Sequence, residues 1–358
     1  MSPGAPDEAV QSGLPPGYHS PQFDADVRLN TNEFPEAPPE RVYEELRDAI
    51  AGIQLNRYPD RMATELRAAL AEHHDVPADN VFCANGSNEV LQCLFLSLGG
   101  PGKTAALFEP TYALHSHIAR LTRTAIIEGE RDAEFLIDMD ELERLLSGAG
   151  SGTEPDLVFL CSPNNPTGRL EPESTVLEVL RRAHGIVVLD EAYAPFAHTS
   201  AIPLISEYSN LVVVRTFSKS WSLAGLRLGY AITAGVIVDA LFRVALPYHL
   251  DALKQRAGVI ALENEKAYDG RINQIIAERF RVVSELGTLG VEVVPSDANF
   301  ILFQLPGHDA PETWRRLAEG SVLVRDVSSW PRLAGYLRVT IGTPRENDAF
   351  LVALRGAL

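Results

Sequence analysis

The sequence predicts an α/β protein in which a mostly parallel central sheet, flanked by helices, forms a large domain beside a smaller α+β domain. Two features predict this fold class. Through the middle of the chain, short β-branched runs alternate with amphipathic stretches, and such alternation favours a parallel sheet covered by helices on both faces. After Pro247 the pattern changes to a long helical region followed by strand-like runs, which indicates the second domain.

Seven short apolar runs are the strand candidates of the large domain, because each is rich in β-branched residues and bounded by turn residues. They are Val81–Cys83, Thr104–Phe108, Ala125–Glu128, Leu157–Cys161, Ile186–Asp190, Leu211–Thr216 and Leu226–Ile232. The stretches between them have helical periodicity. In Leu91–Leu98, for example, apolar residues recur at i, i+3, i+4 and i+7, which gives a helix one buried face.

The domain boundaries are predicted from the same changes of pattern. Residues 1–26, rich in proline, glycine and serine, are expected to form an N-terminal arm, and residues 27–50 to contribute to the small domain. Residues 51–247 are predicted to form the large domain and residues 248–358 the C-terminal small domain. In this last part a helical region, Asp251–Leu286, precedes the strand-like runs. Those runs are Val291–Val294 continuing to Asn299–Phe303, then Val322–Arg325, then Tyr336–Ile341.

Charge and cysteine content narrow the function classes. The 358 residues include 31 Lys and Arg against 48 Asp and Glu, a net charge of −17, which disfavours nucleic-acid binding and requires a local positive cluster for any anionic ligand. The three cysteines form no CxxC pair, which is typical of a reducing compartment. Without a basic–apolar leader or an apolar run of about 20 residues, we expect a cytoplasmic protein that does not span a membrane.

Two motifs suggest other chemistry and are set aside. Gly99–Thr104 is similar to the end of a phosphate-binding P-loop, but the glycine that the motif needs five residues before Gly102 is Ser97. A helical pattern also precedes this segment and a strand follows it, the reverse of the order that a P-loop needs. His115 and His117 are spaced i, i+2, so they face different sides of a helix and are not expected to bind a metal.

Four segments at the carboxyl ends of predicted strands carry candidate catalytic groups, and such ends are where open α/β sheets bind ligands. In the first, Lys219 follows a strand and precedes Arg227 by eight residues. A lysine that is partly buried beside other cations has a lowered pKa and can form a Schiff base. Arg227 and the Ser218 hydroxyl could pair with a phosphate. A lone lysine after a strand is most often a surface residue, so the spacing to Arg227 is what favours catalysis.

The other three segments supply an acid, an amide and an anion site. Asp190 ends a buried apolar strand, where a carboxylate needs a positive partner such as a protonated pyridine nitrogen, although a capping role explains it equally well. In the loop Ser162–Gly168 two prolines would fix the direction of the Asn165 amide. The free backbone amides of Ser87 and Asn88, at a predicted helix start, suit a phosphate, but an ordinary helix cap has the same sequence.

Together these segments resemble the fold-type I, pyridoxal 5′-phosphate (PLP)-dependent aminotransferases of class II, and within them the branch that acts on histidinol phosphate. The resemblance covers nearly the whole chain through DVRLNTNEFP, LNRYPD, ANGSNE, EPTYALH, SPNNPTG, VVLDEAYAPF, RTFSKSWSLAGLRLGY, LPYHL and LRVTIGTPRENDAFL. It implies a homodimer with shared active sites. It also implies amino-group exchange between histidinol phosphate and glutamate or 2-oxoglutarate, a reaction of histidine biosynthesis.

The same resemblance implies roles for individual residues. Lys219 would hold PLP as a Schiff base, Asp190 would pair with the pyridine nitrogen, and Tyr193 would contact the ring hydroxyl, which makes these three the catalytic set. Asn165 would contact the same hydroxyl and the substrate, and Tyr112 would stack on the ring. The implied phosphate-binding residues are Ser87, Asn88, Ser218, Arg227 and, from the neighbouring subunit, Tyr58; the implied substrate-binding residues are Tyr18, Asn165, Tyr248, Arg325 and Arg338.

Three positions depart from the family pattern, namely Phe34, Trp221 and Asp251, and the last leaves substrate preference open. An aromatic amino-acid aminotransferase that acts on phenylalanine or tyrosine is the nearest alternative, and a phospho-amino-acid decarboxylase of the same fold is the next. A PLP-binding module without enzymatic activity is the alternative from another class. Such modules usually carry a DNA-binding domain, for which 358 residues leave no room.

Overall fold

The secondary structure is that of a computed structural model, which describes residues 24–149 and 152–358. The strands are β1 Val27–Arg28, β2 Val81–Ala84, β3 Thr104–Glu109, β4 Ala125–Glu130, β5 Leu157–Cys161, β6 Ile186–Asp190, β7 Leu211–Thr216, β8 Gly229–Thr233, β9 Glu292–Val293, β10 Phe300–Gln304, β11 Val322–Leu323, β12 Arg325–Asp326 and β13 Tyr336–Thr340. The helices are α1 Glu40–Gly52, α2 Thr64–His74, α3 Ser87–Leu98, α4 Ala113–Leu121, α5 Met139–Leu146, α6 Glu173–Arg182, α7 Gly235–Val244, α8 Ala252–Glu263, α9 Lys266–Thr288, α10 Ala310–Glu319 and α11 Pro344–Ala357.

The largest sheet has seven strands in the order β2-β8-β7-β6-β5-β3-β4. Only β8 runs against its neighbours, which confirms the predicted α/β class with a mostly parallel sheet. Both faces of the sheet are covered. Val187 and Leu189 of β6 pack into one apolar cluster and Val188 between them packs into another, as alternation along a strand requires.

The predicted strand Leu226–Ile232 is wrong at its start, because β8 begins at Gly229. Ala224–Leu226 form a short 3₁₀ turn, and Arg227 after it has a left-handed backbone with φ of 54°. An apolar turn and an apolar strand have the same sequence pattern, so periodicity could not separate them. The turn places Arg227 before the strand, at the edge of the pocket described below.

The strands after residue 290 form a four-stranded antiparallel sheet, β12-β13-β10-β9, and β11 pairs instead with β1 in a two-stranded parallel sheet. The single predicted run Val322–Arg325 is therefore two strands in different sheets. Between them, the carbonyl of Val324 accepts a hydrogen bond from the indole N–H of Trp314. The segment β1 lies about 300 residues from its strand partner, which no local pattern predicts.

The predicted helical region Asp251–Leu286 is two helices, α8 and α9. Asn264 separates them, and its side-chain amide donates to the carbonyl of Ile260 and to Glu45, which competes with continuation of the helix. In α8, Ile260 lies in the same apolar cluster as Val187 of the large sheet. The division of the chain into domains stays a prediction. Among the described residues no helix combines the length and apolar character needed to cross a membrane.

Candidate active site

A pocket of about 200 Å³ opens where β5, β6 and β7 end, and it includes Cys161, Asp190 and Thr216, the last residues of those strands. Most of the predicted site residues line it, although they come from distant parts of the chain. They are Ser87, Asn88, Tyr112, Asn165, Asp190, Tyr193, Ser218, Lys219, Arg227, Arg325 and Arg338. Residues of the N-terminal segment, Asn30, Thr31 and Asn32, complete the wall.

The Lys219 amine lies inside this pocket. Its Nζ donates a hydrogen bond of 2.9 Å to the carbonyl of Thr31 and lies 5.8 Å from the centre of the Tyr193 ring. Burial, followed by the positive charges of Arg338 and Arg227, lowers the pKa of Lys219 to about 7. A large share of this amine is therefore uncharged at neutral pH, and the uncharged form is the one that attacks an aldehyde.

The lowered pKa predicts how cofactor capture depends on pH. When cofactor-free protein is mixed with PLP, the rate constant for the appearance of bound visible absorbance should rise by about tenfold per pH unit below pH 7 and level off above it, as the uncharged fraction of Lys219 does. In Arg338→Gln the midpoint should move to higher pH, because the Arg338 charge is one cause of the lowering. Stopped-flow absorbance measures the rate constant and its pH midpoint in the unmutated protein and in Arg338→Gln. A midpoint near the ordinary lysine pKa of 10.5 in the unmutated protein would contradict the assignment.

Asp190 ends β6 with its side chain buried, at 2% exposure. One carboxylate oxygen accepts from the backbone N–H of Ala192 at 3.1 Å, and the other lies 3.3 Å from Nε2 of His115. His115 is fully buried on α4, and sequence reasoning had set it aside together with His117. It lies three residues after Tyr112, and the rings of the two residues meet edge-on at 5.5 Å between centroids. The contact of His115 with Asp190 holds the Asp190 carboxylate towards the pocket.

Asn165 and Tyr193 belong to one hydrogen-bond network. The amide of Asn165 donates to the Tyr193 hydroxyl at 3.4 Å, and its oxygen accepts from Arg338 at 2.6 Å. Asn32 also donates to the Tyr193 hydroxyl, at 3.0 Å, and Arg338 donates to the carbonyl of Asn30 at 2.8 Å. Burial raises the pKa of Tyr193, so its phenol keeps its proton. The sequence reasoning assigned no role to Asn30 or Asn32, although both lie in a quoted family segment.

One end of the pocket is lined by Ser87, Asn88, Ser218 and Arg227 and is called the phosphate-sized end; two glycines lie beside it. Arg227 donates to the Ser218 hydroxyl at 3.2 Å, and Ser87 begins α3, whose free amides point into the same space. A Cβ atom on Gly86 would lie 2.8 Å from the Arg227 guanidinium, and a Cβ on Gly229 would lie 2.3 Å from the Ser87 amide nitrogen. Only glycine permits these approaches. A helix amino terminus, a hydroxyl and a guanidinium around one space fit the phosphate of PLP.

Arg325 and Arg338 lie directly opposite each other on the antiparallel strands β12 and β13. Both are largely buried, at 8% and 5% exposure, and the Arg325 guanidinium lies 5.9 Å from the centre of the Trp330 ring. Like charges directly across a strand pair are unfavourable. Their juxtaposition beside the pocket is therefore typical of a site for an anionic ligand group, such as a carboxylate or a phosphate.

Tyr58 and Tyr248 do not line the pocket of this chain. Their rings stack on each other at 4.5 Å between centroids, and Tyr58 is 81% exposed. Tyr18 lies outside the described residues. Exposed aromatic rings in contact indicate an interaction surface. The resemblance places Tyr58 in the neighbouring subunit's site, and this role stays a prediction.

Two of the departures from the family pattern have structural roles away from the pocket. Asp251 caps α8 by accepting from the backbone N–H of Lys254 at 2.9 Å, and the Lys254 amine donates to the side chain of Asn85 beside the phosphate-sized end. Trp221 is buried against Phe217. Among the described residues, no group of three or more His, Cys, Asp or Glu side chains could hold a metal ion.

The chain is similar to known aminotransferases along most of its length. Residues 25–354 match the family model described as aminotransferase class I and II. A histidinol-phosphate aminotransferase of Corynebacterium diphtheriae is 45% identical over 350 residues, which cover 94% of this chain and 93% of that protein. One of Streptomyces avermitilis is 45% identical over 351 residues, 94% and 93% of the two chains. The crystal structure of histidinol-phosphate aminotransferase from Sinorhizobium meliloti in complex with PLP superposes with a TM-score of 0.85 at 23% identity, over 93% and 91% of the chains.

Proposed function

Because the chain belongs to the class I and II aminotransferase family, we propose that it is a PLP-dependent enzyme that exchanges an amino group between histidinol phosphate and 2-oxoglutarate. This is a reaction of histidine biosynthesis. The similarity to histidinol-phosphate aminotransferases at 45% identity over 94% of the chain supports the substrate. The single observation that carries the chemistry is the Lys219 amine, with a pKa of about 7, inside a pocket that also holds Asp190 and a phosphate-sized cradle.

The pocket residues divide the work of binding and catalysis. When bound, PLP supplies the aldehyde that the amines react with and the ring that takes up the electron pair left on the substrate carbon. Lys219 would bind the cofactor, and its amine would move the proton between the substrate carbon and the cofactor carbon. Asp190, held by His115, keeps a proton on the ring nitrogen, and Asn165 and Tyr193 contact the ring hydroxyl. Asp190, Asn165 and Tyr193 would thus stabilise the charges on the ring nitrogen and the ring oxygen as these charges change during the reaction.

The remaining pocket residues hold the anionic groups. Four of them surround the phosphate-sized end and are proposed to bind the cofactor phosphate, namely Ser87, Asn88, Ser218 and Arg227. Tyr112, whose hydroxyl donates to Asn88 at 3.2 Å, is proposed to cover the ring face. Histidinol phosphate has a phosphate and no carboxylate, whereas 2-oxoglutarate has two carboxylates. The paired guanidiniums of Arg325 and Arg338 can bind either group in turn.

Steady-state kinetics with alternative donors test the substrate. The ratio kcat/KM for histidinol phosphate should exceed that for phenylalanine, and Arg325→Gln should lower the first by about ten- to hundredfold through loss of charge-assisted hydrogen bonds. Arg315→Gln on the exposed face of α10 is the control and should change neither value. Equal or better use of phenylalanine would favour the aromatic aminotransferase. Release of carbon dioxide from a phospho-amino acid would favour the decarboxylase.

We further propose a homodimer in which Tyr58 of each chain completes the site of the other. The exposed, stacked rings of Tyr58 and Tyr248 support it, because exposed apolar groups of this kind mark interaction sites. Light scattering after gel filtration should give twice the mass of one chain. Tyr58→Phe should raise the dissociation constant of PLP by about two- to tenfold, since one hydrogen bond to the phosphate is lost. A monomer whose PLP affinity is unchanged by this substitution would refute the shared site.

A cytoplasmic location is the last part of the proposal. It is supported by Cys83, Cys93 and Cys161, all of which are buried as free thiols. Burial raises the pKa of each of these thiols. Free thiols persist in reducing compartments.

A further inference from the structure

Arg131 and Glu171 form an ion pair that is almost fully buried, at 1% and 0% side-chain exposure, and neither residue lines the pocket. Taking two charges out of water is costly, and apolar residues of the same size often stabilise a fold as well or better. A pair of this kind therefore needs a reason other than stability. The reason lies in the backbone groups that it holds.

The Arg131 guanidinium connects two segments that would otherwise be independent. Its Nε donates to the carbonyl of Phe108 at 3.1 Å, in the strand that leads to Tyr112, and one Nη donates to the carbonyl of Phe135 at 3.1 Å. The same Nη donates to the Glu171 carboxylate. Three anchors on one planar, charged group fix its position.

Glu171 extends this connection to the loop that contains Asn165. Its second carboxylate oxygen accepts from the backbone N–H of Ile137 at 3.2 Å. Its own backbone N–H donates to the Ser162 hydroxyl at 3.0 Å. Ser162 and Glu171 lie near the two ends of the connection between β5 and α6, so this bond closes that connection on itself. The ion pair then attaches it to the strand before Tyr112.

From these contacts we propose that Arg131 and Glu171 are positioning residues for the Asn165 amide. They set where that amide lies against the cofactor ring and against Arg338, whose guanidinium donates to it at 2.6 Å. The inference rests on the proposed function, because it takes the ring hydroxyl of PLP as the group that Asn165 contacts. It concerns residues outside the pocket that act through Asn165 and touch neither cofactor nor substrate.

The pH titration of the visible absorbance of the holoenzyme tests this inference. A hydrogen-bond donor to the ring oxygen of PLP stabilises the negative charge of that oxygen. Without the donor, the proton shared by the ring oxygen and the Lys219 nitrogen is bound more tightly, so the apparent pKa of the chromophore rises. Asn165→Ala is the benchmark and should raise it by about 0.4 to 1 unit, the equivalent of one net hydrogen bond. The double variant Arg131→Met, Glu171→Leu and the milder Ser162→Ala should shift it in the same direction by a smaller amount. Glu171→Gln keeps only one accepting oxygen and turns an NH2 group towards either the Arg131 guanidinium or the Ile137 N–H, so it should also shift the titration in the same direction, by less than the double variant does.

Arg67→Met is the matched control. Arg67 is also a buried arginine that donates to two backbone carbonyls, those of Val81 and Ala78, each at 2.8 Å, but it lies outside the pocket. Its loss should lower the thermal midpoint without moving the absorbance titration. In the cofactor-free protein, amide hydrogen exchange over residues 162–171 should be about two- to tenfold faster in the double variant and unchanged in Arg67→Met.

The outcomes separate this inference from the proposed function. If Asn165→Ala itself leaves the titration unchanged, the assignment of Asn165 to the cofactor fails and the inference fails with it. If Asn165→Ala shifts the titration but neither the double variant nor Ser162→Ala does, the ion pair has only a structural role and the inference alone is overturned. A double variant that does not fold leaves the decision to Ser162→Ala.

Discussion

Replacement of Lys219 by alanine is expected to give a folded protein without the visible absorbance of covalently bound PLP and without transamination. The amine is the nucleophile that holds the cofactor, and its pKa of about 7 suits it for the proton transfer that follows. Loss of a positioned acid–base group alone lowers kcat by about 10²–10⁴-fold. Absorbance spectra and single-turnover assays with histidinol phosphate measure the two losses separately.

Lys103→Ala is the control for this substitution, because Lys103 is an exposed lysine that pairs with Asp156 before β3, outside the pocket. It should keep colour and activity. Equilibrium dialysis should show that Lys219→Ala still binds PLP, since the phosphate end of the pocket is intact. A yellow, active Lys219→Ala protein would refute the proposed function.

Replacement of Gly229 by alanine is expected to weaken PLP binding by about five- to 150-fold. The new Cβ would lie 2.3 Å from the Ser87 amide nitrogen, so β8 and the start of α3 have to separate. Overpacking of this kind costs about 1–3 kcal/mol. The expected change in the dissociation constant of PLP is this cost converted at about 1.4 kcal/mol per tenfold. Fluorescence titration of the cofactor-free protein with PLP measures it.

Gly225→Ala is a close control, because Gly225 lies four residues earlier and a Cβ there meets nothing within 4 Å. Its PLP affinity should equal that of the unmutated protein. If Gly229→Ala binds PLP as tightly as Gly225→Ala does, the phosphate does not occupy the space between Gly229 and Ser87, and the proposed cradle is wrong.

The convergence of the main pocket residues could be predicted from sequence because each follows a buried strand that has its own local signal. Asp190 ends an apolar run, and Lys219 follows one. Carboxyl ends of parallel strands meet at one edge, so local signals were sufficient to bring these residues together. The family resemblance then supplied roles for them.

The rest of the pocket depends on contacts between residues far apart in the chain. His115 meets Asp190 across 75 positions, and Asn32 meets Thr340 across 308. Nothing near His115 in the sequence distinguishes it from an ordinary helical histidine. The ion pair of Arg131 with Glu171 is hidden for the same reason, because charged residues in loops are normally solvated.

The pairing of β1 with β11 governs when the nascent chain can complete its pocket. Leu29, just after β1, donates to Leu323 and accepts from Thr340, and two residues later the carbonyl of Thr31 meets the Lys219 amine. The seven-stranded sheet ends at Thr233, so it can form while the ribosome is still adding the last part of the chain. The Thr31 carbonyl and the Arg338 guanidinium reach the pocket only through β1 and β13, so the surroundings that lower the pKa of Lys219 are complete only once the last strands have joined the fold.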